Sequence, residues 1–190
     1  MLGGNLQRTY ANPNQLESLG PLIRGSWAVP AKSLPLNPYL RARFPGPVHG
    51  YLAIDTGSNR TWMGQAVVEA LDLSACSEET AHGSAGVHRT PIYLAELVVP
   101  FAGDETRDAS LTAVLPVAAV PRLDEMMPLQ TDDPNGQLIG LLGRDFLRHV
   151  RFTYDGPGGS FSLKLGGRDV QVVDADALAA RRLRQDEAHA

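Results

Sequence analysis

Asp55 stands where a side chain could do chemistry. It ends the apolar run Tyr51 to Ile54 and is followed by Thr56, Gly57 and Ser58. A carboxylate fixed at a strand end can serve as general acid or base. The same residues can also open an ordinary turn, because Asp and Gly are turn formers. Other chemistries lack their residues. The stretch GSAGVHRT at 83–90 has no Lys for a phosphate-binding loop. No Gly-x-Ser-x-Gly elbow exists anywhere in the chain. His82 and His88 are six residues apart on a loop, and His49, His149 and His189 are scattered. That spacing makes no metal site, so no metal and no cofactor are expected.

The elements that would position Asp55 can be read around it. Val48 to Ile54 reads as a strand ending at Asp55, and Leu22 to Val29 as another strand before it. Between them, Pro30, Pro35, Pro38, Pro45 and Pro47 exclude a helix or central strand and predict a surface loop. Gln65 to Leu73 is a short amphipathic helix with Ala66, Val67, Ala70 and Leu71 on its apolar face. Ile92 to Pro100 and Leu111 to Val120 are strands, the second placed near an edge or bulge by Pro116. Residues 121–137 form a long polar loop. Leu138 to Leu142 is wholly apolar, and Gly143 to Val150 is a short helix. Arg151 to Tyr154 and Ser160 to Leu165 flank DGPGG, a hairpin signal. Residues 1–20 read as a loose N-terminal arm and 168–190 as a C-terminal helical extension, with a terminal helix over 174–188. The fold class is therefore all-β with two or three short helices.

Two segments stand out together: LAIDTGS at 52–58 and LIGLLGRDFL at 138–147. In this order and at this separation, with a hairpin after the second, they make residues 48–165 resemble the retropepsin-like aspartic proteases. These are a single-domain, retroviral-type family, and the chain looks like a bacterial-type member. The resemblance implies a mostly antiparallel closed β-barrel of the acid-protease type over residues 21–167. It implies an aspartic endopeptidase whose catalytic residue is Asp55. Such enzymes hold two carboxylates across a water, one ionised as base and one protonated as acid. This chain has one Asp-Thr-Gly. Asp155 lies in Tyr-Asp-Gly without the Thr, in a hairpin turn. A homodimer would therefore supply the second Asp55 across a two-fold axis.

The same resemblance gives its neighbours roles. Thr56 would bond to the other chain's loop, and Gly57 would let its N–H approach the carboxylate. The Ser58 hydroxyl would donate to Asp55 and favour the ionised form. Arg144 and Asp145 would brace the active-site loop. Asn59 stands where retroviral enzymes often have an acid, which weakens that brace. Gly83, Ser84, Ala85 and Gly86 would form the tip of a hairpin flap over a peptide or protein substrate. The alternative within the same fold is a non-catalytic dimerisation or peptide-binding module.

Composition sets the outer bounds. The chain has 190 residues, 43% of them hydrophobic, which is enough for one domain with a real core. Its net charge is −4 and its basic residues form no stripe beyond Arg181, Arg182 and Arg184, so no nucleic-acid partner is expected. The one cysteine, Cys76, allows no intrachain disulfide and fits a reducing compartment. No apolar run approaches the ~20 residues that span a bilayer, and the N-terminus has no apolar leader core. The expectation is a cytoplasmic protein with no membrane partner.

Overall fold

The apolar runs on either side of the proline-rich stretch become β2 (Leu22–Ala28) and β3 (Val48–Ile54), paired antiparallel with Leu22 opposite Ala53. The computed structural model describes residues 7–11, 13–83, 86–101, 109–126, 128–129, 136–165 and 172–174. Beside β3 lies β8 (Leu138–Leu142), parallel to it, and beside β8 lies the short β4 (Trp62–Gly64). The barrel wall continues through β7 (Ala109–Val120) and β6 (Gly86–Phe101). β4 pairs with β7, β7 pairs with β6 from Ile92 to Phe101, and β6 pairs back on β2. The result is a closed six-stranded barrel in which most pairings are antiparallel.

Closure gives the apolar strands an interior. Ile23, Trp27, Leu52, Met63, Leu97, Val99, Ile139 and Leu142 are fully buried there. Each large side chain removed from water contributes about 1.5–3 kcal/mol. Two strands extend the wall. β5 (Ser77–Gly83) pairs with the first half of β6 as a hairpin, and β11 (Val172–Asp174) pairs with β7. A separate three-stranded sheet orders β1 (Gln7–Ala11), β10 (Ser160–Leu165) and β9 (Val150–Asp155). Its Phe161 and Leu163 join the barrel core.

The fold departs from the sequence reading at several points. Residues 7–20 are not wholly a loose arm. β1 is hydrogen-bonded to β10, and α1 (Pro13–Leu19) buries Leu16. The proline-rich stretch contains a helix, α2 (Pro38–Arg41), because Pro38 occupies its first turn, where no backbone donor is needed. Asn37 caps it by accepting from the N–H groups of Tyr39 and Leu40. In α3 (Gln65–Ala70) the buried residues are Val67 and Val68, while Ala66 and Ala70 are exposed. The barrel thus meets the β-branched pair rather than the alanines. The polar loop after β7 includes α4 (Leu123–Met126), which buries Leu123.

Pro116 meets the edge expectation locally. β4 covers only 118–120 of β7 and β11 only 109–111, so Pro116 lies where β7 has one neighbour. α5 (Arg144–Leu147) is the short helix expected after β8, and the class is the expected all-β barrel with a few short helices. The expected terminal helix lies outside the described residues, apart from Asp174 in β11. No helix among the described residues is long and apolar enough to cross a membrane.

Candidate active site

β3 and β8 run parallel and end together, and the site is built on their shared end. The N–H of Asp55 donates to the carbonyl of Leu142, at 3.0 Å. Ile54 and Leu142, the last residues of the two strands, are both buried, so the polar loop begins from a fixed apolar base. The chain then turns sharply over Thr56 and Gly57. Asp55 Oδ1 accepts from the N–H of Gly57 at 2.9 Å and from that of Ser58 at 3.2 Å. Two backbone dipoles thus converge on one carboxylate oxygen and fix its direction. Oδ2 accepts no hydrogen bond among the described residues. Asp55 is half-buried, and Thr56 and Gly57 beside it are exposed.

The loop is clasped by α5, which follows β8 through Gly143. The N–H of Arg144 donates to the Ser58 carbonyl at 2.9 Å, and its Nη1 donates to the Thr56 carbonyl at 3.3 Å. Asp145 reaches the other end of the loop. Its Oδ2 accepts from the Thr61 N–H at 2.9 Å, and its Oδ1 accepts from the Thr61 hydroxyl at 2.7 Å. Asn59 is exposed and makes no hydrogen bond with Arg144 among the described residues. The guanidinium holds a backbone carbonyl instead, a contact that needs no acidic side chain at position 59.

Ser58 requires a correction. Its hydroxyl does not donate to Asp55. It donates to the Arg60 carbonyl at 2.7 Å and accepts from the indole N–H of Trp62 at 2.8 Å. A serine hydroxyl has one proton, and here the loop uses it internally. Only the backbone N–H of Ser58 reaches the carboxylate. Trp62, half-buried at the start of β4, is thereby tied to the site loop rather than being solely a core residue.

Two further residues escaped the sequence reading. Thr61 is fully buried, and its hydroxyl also accepts from the Gly143 N–H at 3.1 Å, so it joins the two ends of the site. Its sequence signal is slight: a small polar residue just before the apolar Trp-Met. Gly143 permits the contact, since a Cβ there would collide with the Arg60 carbonyl and lie 2.9 Å from the Thr61 nitrogen. The other missed residue is Arg60, which forms an ion pair with Glu79 of β5.

The hairpin of β5 and β6 stands where the flap was expected. Its register brings Gly83 opposite Gly86. Gly86 has φ +105, a conformation that suits glycine. Ser84 and Ala85, the expected tip, lie outside the described residues. Among the described residues no cluster of three or more His, Cys, Asp or Glu could hold a metal ion.

Compared with known proteins, the chain matches no family model, and no curated protein matches it significantly. The functional reading therefore rests on the site itself.

Proposed function

We propose that this protein is an aspartic endopeptidase that works as a homodimer. The observation that carries this reading is the setting of Asp55. One carboxylate oxygen is held by two backbone N–H groups at a strand end, its partner oxygen is left for a reactant, and the loop is clasped from the neighbouring parallel strand. The exposed Thr56 and Gly57 are where a second copy of the same loop would pack, with two Asp55 side chains facing each other across a two-fold axis.

In that pair the ionised Asp55 takes a proton from a water held between the two carboxyl groups. The water oxygen attacks the peptide carbonyl carbon. The protonated Asp55 donates to the carbonyl oxygen as negative charge develops there. The tetrahedral intermediate then collapses: the Asp55 that took the water proton gives it to the leaving nitrogen, the C–N bond breaks, and a hydroxyl proton of the intermediate returns to the other Asp55, so that the pair again holds one proton. Every proton transfer in these steps runs between the two carboxyl groups, the water and the peptide. Arg144, Asp145 and Thr61 act indirectly, by fixing the loop.

Asp55→Asn tests the assignment. The Asn side-chain oxygen can still accept from Gly57 and Ser58, so the loop keeps its shape. Cleavage of a peptide library by wild type, sensitive to a general aspartic-protease inhibitor, should fall at least about a hundredfold in the variant with no change in melting temperature. Equal cleavage by the two proteins would remove Asp55 from the chemistry. Peptide binding without cleavage by wild type would favour the non-catalytic module.

A further inference from the structure

The Arg60–Glu79 ion pair joins two parts of the molecule that no backbone pairing connects. Arg60 belongs to the loop that begins at Asp55. Glu79 lies in β5, whose backbone pairs with β6 alone among the described residues. Glu79 is the register partner of Thr90. Opposed residues in a sheet point to the same face, and Thr90 is buried, as is Ile92 two residues on. The Glu79 carboxylate is therefore on the inward face of the hairpin, turned toward the barrel. There it meets a guanidinium whose side chain is 24% exposed, against 49% for Glu79.

The neighbouring ion pair makes a useful contrast. Arg89 and Glu78 are 3.7 Å apart within the same hairpin, at 84% and 62% exposure. That pair links the hairpin to itself and faces solvent. The base of the hairpin is fixed separately, where the Cys76 N–H donates to the Ile92 carbonyl at 2.8 Å. Between that base and Gly83, the Arg60 contact ties a side chain of β5 to the site loop.

We propose that Arg60 and Glu79 are positioning residues for substrate: their ion pair seats the β5–β6 hairpin against the Asp55 loop and so sets the height of the cleft between them. This rests on the endopeptidase reading for its consequence in catalysis, but the contact itself can be tested without activity. A half-exposed pair is weak, which suits a tie that must form and break as peptide enters. Neither side chain touches the reacting atoms, so loss of the pair raises KM and leaves kcat nearly unchanged.

The experiment combines amide hydrogen exchange on the full-length chain with peptide cleavage kinetics. The variants are Glu79→Gln, Arg60→Glu, Glu79→Arg and the double swap Arg60→Glu/Glu79→Arg. In Glu79→Gln, exchange across residues 77–83 and 86–91 should quicken about three- to fivefold, and KM should rise by a similar factor. Exchange over 150–165 should stay at its wild-type rate and serves as the internal reference for folding. The single reversals should exceed Glu79→Gln, and the double swap should return most of the effect. Unchanged hairpin exchange in Glu79→Gln, or a double swap no better than its single parents, would overturn the proposal. The two readings fail separately. If wild type cleaves peptide while the hairpin ignores these substitutions, the endopeptidase stands and the tie falls. If the hairpin responds while wild type is inert, the tie stands and the endopeptidase falls.

Discussion

The Ser58 hydroxyl has one proton, and the Arg60 carbonyl takes it. Ser58→Ala therefore removes a partner from that carbonyl and from the half-buried Trp62 indole N–H. We expect a loss of about 1–2 kcal/mol in urea unfolding. The pH dependence of cleavage should keep its wild-type shape, because no hydroxyl bond to Asp55 is lost. A changed pH profile would show that the hydroxyl reaches the carboxylate in the dimer proposed above. Thr61 makes a stronger case. Thr61→Val leaves the buried Gly143 N–H without its acceptor and Asp145 without one donor. It should cost about 2–3 kcal/mol, with Thr61→Ser recovering most of that in the same denaturation series.

The Asp-Thr-Gly-Ser run announces the position of Asp55 in sequence, because those residue types suit a tight turn. It does not announce where a hydroxyl points, since that depends on Trp62 and Arg60 returning over the loop. Nor can spacing reveal Thr61, whose hydrogen-bond partners Asp145 and Gly143 are more than eighty residues away in sequence.

Among the elements, β8 and the turn into α5 are the most exacting. Gly143→Ala would push a methyl group into the Arg60 carbonyl, and overpacking of this kind costs about 1–3 kcal/mol. The expected readout is a lower melting temperature together with weaker cleavage, as the loop carbonyl is displaced. Leu142 adds a packing test. Its side chain is fully buried while its carbonyl accepts the Asp55 N–H, so Leu142→Ala should cost about 2–5 kcal/mol of stability. Strands of this kind were legible as continuous apolar runs flanked by turn residues. Short helices were harder. α2 was hidden by its prolines, although Pro38 sits where a helix accepts one. The buried face of α3 differs from the expected one at Ala66, Val68 and Ala70, because Val68 and the two alanines all fit a helical stripe and only the packed barrel chooses between them.

At the scale of the whole molecule, the proposed endopeptidase has one Asp-Thr-Gly per chain, which predicts that its activity depends on assembly. Specific activity should fall on dilution, in step with the dimer fraction measured by sedimentation equilibrium. An active species that sediments as a strict monomer would refute the shared site. The all-β class could be read from the number and length of apolar strands, and the closed barrel only from the resemblance. The strands alone do not show closure, because β6 reaches from the hairpin to Phe101, pairing with β5, β7 and β2 along its length.

The pairing of β1 with β10 has a consequence for how the chain is made. Gln7 pairs with Lys164, so β1 leaves the ribosome well before its partner strand and must wait for it. At the usual rates of synthesis that interval is about 8–30 s. Until then both edges of β1 are open, and an open edge invites pairing with other chains. Overproduction, which crowds many such nascent chains together, should thus favour aggregates in a way that slower translation relieves. Replacing Arg8 with proline, which removes one donor from β1, should worsen the yield of soluble protein if this late sheet is what completes folding.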